Sequence, residues 1–359
     1  MKIVLKLITC FFLLIYAETS YSQTKKETAA LKAKQATYLI EGGKTDAAIK
    51  LLLSAKQLDP GNIDYPYEIA YAYYIKKDYL NAIAILEKLI SHKDVYSKVF
   101  QLLGNSYDNL KERDKAIQTY TAGLNLFPKA GELYLELGNM SMIKKDYPDA
   151  LRNYENGIAA DPEFPSNYYW AAKLYCTSVE KVWGMIYGEI FLNLERGTKR
   201  TGEISKLLYT TYKSQIRFYS DSSVSVNFTK NDIPTPDSAK TKPRFSKDIF
   251  ESVLLKSIEK EKKITISTLC KIRKKFIEYY FNSNLYRQYP NVLFDYQYKA
   301  LRAGFSEAYT NWVLSMGNED ESAKWIKENS QEWQRFTIWF FETKLPLDNK
   351  YKFLSTQYN

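Results

Sequence analysis

Small side chains recur through the first half of the chain with a period of 34 residues. One column reads Ala36, Ala70, Gly104, Gly138 and Ala172, a second reads Ala48, Ala82, Ala116 and Ala150, and neither slips. The interval between the columns holds a polar break in each unit, such as Glu41-Gly42-Gly43-Lys44 or Lys111-Glu112-Arg113-Asp114, flanked by apolar residues three and four places apart. That spacing is the buried stripe of an α-helix, so each unit predicts two helices joined by a short turn. Where two helices cross closely, only a side chain with little beyond Cβ fits, which accounts for both columns. Pro60, Pro128 and Pro162 then stop the second helix before the next unit starts. The pentapeptide Ile75-Lys76-Lys77-Asp78-Tyr79 returns 68 residues later as Ile143-Lys144-Lys145-Asp146-Tyr147 and falls on the turn between paired helices.

The third unit carries Phe100, Leu103-Gly104, Tyr107, Ala116, Tyr120 and Pro128. The fourth carries Tyr134, Leu137-Gly138, Ala150, Tyr154 and Pro162, with Ser141 in the tyrosine position. With this pattern the chain resembles the tetratricopeptide-repeat family over residues 29–198. The resemblance implies five helical-hairpin units starting at residues 29, 63, 97, 131 and 165 and coiled into a superhelix. Lys32 and Pro66 stand where the first aromatic of units one and two belongs, and Asp94 replaces the proline closing unit two. The fifth unit opens on Tyr168, Ala172 and Tyr175 and then has Gly184 and Gly188 for the alanine and aromatic. It reads as a degenerate last unit whose second helix packs on the C-terminal region.

Residues 199–359 form a second domain, also helical, so the fold class is all-α. Apolar spacing and stop signals place helices at Gly202 to Phe218, Lys247 to Lys260, Ser267 to Phe281, Asn291 to Arg302, Ser306 to Met316 and Asp320 to Glu342. Residues from about 220 to 246 hold a short alternating stretch and Pro234, Pro236 and Pro243, and read as a mobile loop. Trp312, Trp325, Trp333, Trp339, Phe340 and Phe341 recur at helical spacing and supply this domain's core.

The N-terminus changes the compartment. Lys2 and Lys6 precede an apolar run from Leu7 to Ala17, and Ser20-Tyr21-Ser22 offers small residues for cleavage, so residues 1–22 read as an export signal and the mature chain starts at Gln23, outside the cytoplasm. Cleavage leaves Cys176 and Cys270, each among apolar residues, and both read as buried thiols rather than as a disulfide framework.

Charge is uneven. Residues 23–164 carry 19 basic and 19 acidic side chains, whereas residues 165–359 carry 30 and 21. Lys271, Arg273, Lys274 and Lys275 form the densest basic run, a candidate surface for an anionic envelope polymer or an acidic partner. Export removes nucleic acid as the natural target.

Little here suggests catalysis. The lone histidine, His92, sits at the weak end of unit two, and no nucleophile elbow, zinc-protease, phosphate-loop or paired-cysteine motif occurs. No metal and no cofactor is expected, and the chain reads as a non-enzyme. Binding is argued better. The resemblance implies that first helices of successive units line a concave groove, where the residue after the small column presents an amide to a ligand backbone. Asn105 and Asn139 hold that place. The same face projects Tyr67, Tyr71 and Tyr74 from unit two, Lys98, Gln101, Asp108 and Asn109 from unit three, Met142 from unit four, and Tyr169 and Lys173 from unit five. An amide that both donates and accepts can hold a peptide backbone without reading its sequence. The expectation is an exported scaffold or adaptor that binds a protein or peptide partner in cell-envelope protein assembly. The alternatives are a carboxylate-dependent cell-wall glycosidase and an anionic-polymer binder acting through the basic C-terminal domain.

Overall fold

The computed structural model describes residues 24–220, 223–230, 244–259 and 261–358. The expected export signal and residues 231–243 of the expected loop lie outside them. Apart from one two-stranded hairpin the described chain is helical, and it divides into two compact units, one ending at Pro128 and the other starting at Lys129.

The first unit holds α1 (residues 24–41), α2 (Thr45–Leu58), α3 (Asp64–Ile75), α4 (Tyr79–Leu89), α5 (Ser97–Asn109) and α6 (Arg113–Leu126). Both small columns are where the helices touch: Ala36, Ala48, Ala70, Ala82 and Ala116 are fully buried. At Gly104 a Cβ would lie 2.2 Å from the Tyr120 ring, so the α5–α6 crossing tolerates no side chain there.

The repeated turn has one backbone design. Gly43, Lys77, Lys111 and Lys145 all adopt left-handed φ, at 73°, 63°, 67° and 60°, and are spaced by the repeat length. The amide of each bonds back three residues, as from Lys77 to the Tyr74 carbonyl at 2.9 Å. The amide after it bonds back five, as from Asp78 to the Tyr73 carbonyl at 2.9 Å. This double bond pattern satisfies the carbonyls left at a helix end and reverses the chain in three residues. Asp78 and Asp146 then cap the next helix by accepting from the amides of Asn81 and Asp149.

In the second unit the hairpins continue as α7 (Gly131–Ile143), α8 (Tyr147–Ala160), α9 (Pro165–Thr177) and α10 (Lys181–Leu194). Gly138 repeats the close crossing, with a Cβ 2.3 Å from the Tyr154 ring. α10 is buried along nearly its whole length, from Val182 to Asn193, as a last repeat helix enclosed by the C-terminal elements must be. A single apolar core runs from Ala150 to Phe353, so residues on both sides of position 198, the proposed end of the repeats, share it.

Enclosing α10 are α11 (Lys199–Gln215), strands β1 (Ile216–Ser220) and β2 (Ser223–Val226), a π-helical segment Phe245–Glu251 running into α12 (Ser252–Ser257), α13 (Ile266–Asn282) and the short α14 (Leu285–Gln288). The chain continues through α15 (Val292–Arg302), α16 (Ser306–Leu314), α17 (Glu319–Glu328), α18 (Ser330–Glu342) and an irregular tail. Three expectations change. The helix expected to reach Phe218 stops at Gln215, because Ile216 and Phe218 pair across an antiparallel hairpin with Val226 and Val224. Part of the span read as a mobile loop is therefore a strand, and the residues after it are pinned: buried Glu251 accepts from the amides of Phe228 and Thr229 at 2.5 and 2.7 Å. The single helix expected over Asp320 to Glu342 breaks at Asn329, whose side-chain amide takes the Trp325 carbonyl at 3.0 Å.

The tryptophans pack on this core as the pattern implied, with Phe336 and Phe340 buried beside them. Phe341 does not: it is 81% exposed. Cys176 and Cys270 are both buried and form no disulfide, and burial pushes the Cys176 thiol up to about 12. Among the described residues no helix is long and apolar enough to cross a membrane.

Candidate functional site

The first helices of the hairpins carry the residues singled out for binding, and each unit presents its own set. In the first unit, Tyr67, Tyr71 and Tyr74 rise from α3, and Lys98, Gln101, Asn105, Asp108 and Asn109 from α5. Three- and four-residue steps keep each set on one helix face. Asn109 joins the two helices, donating to the Tyr74 hydroxyl at 3.2 Å and to the Asn105 carbonyl at 2.8 Å. Tyr67 meets the Tyr96 ring edge-on at 5.4 Å. Tyr71, Lys98 and Asn109 are exposed. The carboxyl of Glu68 on α3 is held above its ordinary range by burial and by Asp64, with Lys98 opposing. Asp108 lies 3.7 Å from Arg113 across the hairpin turn. The surface is therefore mixed: one open aromatic ring, one open cation and several amides.

The two asparagines are less free than expected. The Tyr120 hydroxyl donates to Asn105 Oδ1 at 2.6 Å, and the Tyr154 hydroxyl donates to Asn139 Oδ1 at 3.0 Å. Each tyrosine ring occupies the space that the preceding glycine leaves, and its hydroxyl emerges beside the asparagine. Asn139 Nδ2 in turn donates to Glu136 at 3.0 Å. The first duty of both amides is thus to complete a hydrogen bond inside their own hairpin, which the repeat pattern alone did not suggest. A signal was available: within the repeat register, asparagine follows the small residue only in the two units that have tyrosine fifteen places later.

In the second unit the expected face is partly closed. Tyr169 is buried, donating its hydroxyl to Glu203 at 2.5 Å and lying 5.0 Å from the Arg200 guanidinium. Lys173 donates to the Tyr169 hydroxyl at 3.0 Å and sits 4.9 Å from the Trp170 ring. Met142 is half-buried and packs on the core. Met142 and Tyr169 thus contribute packing more than open surface. Lys173 sits 4.0 Å from Glu203, so part of its charge is compensated.

The basic run is corrected more sharply. Arg273 is an interior residue, 7% exposed, with a bidentate pair to Glu189 at 2.7 and 2.8 Å. It also donates to the Tyr212 hydroxyl and to Thr310, and Gln297 donates to Glu189, so the buried charges are bonded on several sides. An arginine set among lysines reads as surface charge, but helix periodicity turns it inward. Lys271, Lys274 and Lys275 remain on the surface and pair with Glu261, Glu278 and Glu259. The patch is neutralised locally. The cavity beside Arg273 and Glu189 is about 20 Å³, room for one water rather than a ligand. Among the described residues no group of three or more histidine, cysteine or carboxylate side chains is placed to hold a metal.

A family match agrees with the repeat geometry over part of the chain. Residues 65–92 and 97–130 match the tetratricopeptide-repeat profile. Among solved structures the chain is similar to PilF of Pseudomonas aeruginosa, at 18% identity and a TM-score of 0.44, over 53% of this chain and 86% of that one. It is also similar to a thermophilic repeat protein of Thermus thermophilus, at 15% identity and a TM-score of 0.42, over 50% and 98%. A MamA protein aligns at 20% identity and a TM-score of 0.36, over 47% and 92%. The left-handed turn, the buried small columns and the matched segments lead to one conclusion: residues 65–130 of this chain carry tetratricopeptide repeats.

Proposed function

We propose that the chain is an exported scaffold that holds a protein or peptide partner on the first-helix face of its repeats, in assembly of cell-envelope proteins. The repeats support a protein-interaction role. The observation that carries the reading is the α3–α5 surface, where exposed Tyr71, Lys98 and Asn109 stand on a rigid hairpin frame. An aromatic anchor beside a cation and amides suits an extended backbone with an acidic or polar side chain. The anionic-polymer reading has less behind it, since one of its four residues is interior and the others are ion-paired.

The test compares the wild-type chain with a Tyr71→Ala, Lys98→Ala, Asn109→Ala variant for capture of partners from envelope extract, after equal melting is established. A partner retained by wild type and lost by the variant supports the face. Equal capture by both overturns it. Export is tested separately by N-terminal sequencing of the fractionated protein: a start at Gln23 outside the cytoplasm supports it, and intact Met1 in the cytosol counts against it.

A further inference from the structure

The chain's own tail shows what a second groove of the repeats accepts. In the second unit the tail crosses the second helices α8 and α10. Lys352 donates to the Ala159 carbonyl at the end of α8 at 2.8 Å. Phe353 is fully buried against Trp183 and Tyr187 of α10, at 5.9 and 5.8 Å between ring centroids. Ser355 donates its hydroxyl to Glu155 at 2.5 Å and its amide to the Tyr187 hydroxyl at 2.9 Å. Glu155 also accepts from Tyr175 at 3.1 Å, so a tyrosine–glutamate pair anchors the docked serine.

The same pair exists in the first unit two repeats earlier. The Tyr107 hydroxyl donates to Glu87 at 2.5 Å, and both residues lie 68 positions before Tyr175 and Glu155. The other units lack it, having Tyr73 with Leu53 and Ser141 with Thr121 at the corresponding places. Beside Tyr107 an open groove of about 340 Å³ runs between the end of α4 and the outer side of α6. Its lining repeats, in register, residues of the hairpins that the tail crosses: Tyr107 corresponds to Tyr175, 3.4 Å from the Ser355 hydroxyl, and Ile90 and Phe100 correspond to Ile158 and Tyr168. What differs is bulk. Lys115, Gln118 and Thr119 stand where α10 has Trp183, Ile186 and Tyr187, and among the described residues no tail covers them. Glu87 is exposed, whereas Glu155 beneath the tail is half-buried.

We propose that this groove is a second docking site, taking an extended partner segment that carries a basic side chain, an aromatic residue next to it and a serine or threonine two places further on. The hydroxyl donates to Glu87 as Ser355 does to Glu155. The aromatic ring fills the room left by the smaller α6 side chains and meets the Lys115 ammonium, already 5.3 Å from the Tyr107 ring. The basic side chain reaches the Ser91 carbonyl, the counterpart of Ala159. This surface lies on the second-helix side and is separate from the first-helix face that carries Tyr71, Lys98 and Asn109.

The probe is a fluorescent peptide copying residues 349–358, titrated by anisotropy into the full chain. Ala122→Trp and, separately, Gln118→Trp fill the groove from exposed positions on α6, and melting confirms that each folds. Binding to wild type should be lost in at least one folded groove-filling variant and weakened roughly tenfold by Glu87→Gln or by alanine at the peptide's serine. The first-helix variant should bind the peptide normally. No binding at millimolar peptide overturns the proposal. So does binding that survives both groove-filling substitutions, which would mean the peptide merely exchanges with the chain's own tail.

Discussion

Asn105 Oδ1 receives the Tyr120 hydroxyl at 2.6 Å, across a hairpin whose closest approach is the Gly104 backbone under the same tyrosine ring. Glycine, asparagine and tyrosine act as one unit: the glycine admits the ring, the ring carries its hydroxyl to the rim, and the asparagine accepts it. Asn139, Gly138 and Tyr154 repeat the arrangement. Asn105→Ala and Tyr120→Phe should therefore be energetically coupled. A double-mutant cycle by denaturant unfolding should give an interaction energy of about 0.5 to 1.5 kcal/mol. Additive effects would mean that the hydrogen bond contributes nothing, and any loss of binding in Asn105→Ala must first be corrected for lost stability.

Gly104→Ala should destabilise the chain by about 1 to 3 kcal/mol, because the new methyl meets the ring of Tyr120, which is fully buried and tied through its hydroxyl to Asn105. The repeat register contains its own remedy. Ala70 is followed sixteen places later by Leu86, both fully buried, where Gly104 is followed by Tyr120. In a Tyr120→Leu background the alanine should cost less than in wild type, as read from the shift in unfolding midpoint. An equal cost in both backgrounds would place the clash elsewhere.

Lys145 sits at a φ of 60° and Lys144 at −76° in the same turn. A side chain with a Cβ is strained in the first conformation and at ease in the second. Lys145→Gly should stabilise by about 0.5 to 1 kcal/mol, while Lys144→Gly should destabilise by a similar amount. Thermal melts of the two single variants decide it. Shifts of the same sign would show that the turn geometry is misassigned.

Glu189 neutralises Arg273 in a core that offers the arginine almost no solvent. Glu189→Leu alone should cost about 3 to 5 kcal/mol, because it strands a buried charge. Adding Arg273→Met should recover part of that loss, since no charge is then stranded and only Gln297, Tyr212 and Thr310 lose a partner. Urea unfolding of the single and double variants is the measurement, and a double variant less stable than the single would sink this account.

The chain's local relationships were open to reading from the residues alone. The residues that mark each hairpin's crossing are twelve to sixteen places apart, so these contact constraints repeat with the unit and accumulate as columns of alanine and glycine. Those columns determined the hairpins, the tight crossings and the position of the left-handed turn. The contacts that close the second unit have no such repetition. Glu189 and Arg273 are 84 residues apart, and Glu155 and Ser355 are 200 apart, each meeting once. A single long-range contact leaves no period in the sequence, and its chemistry is indistinguishable from surface polarity until burial is known. Only the tertiary structure could turn Arg273 inward and lay the tail over a groove whose counterpart in the first unit, among the described residues, stands open.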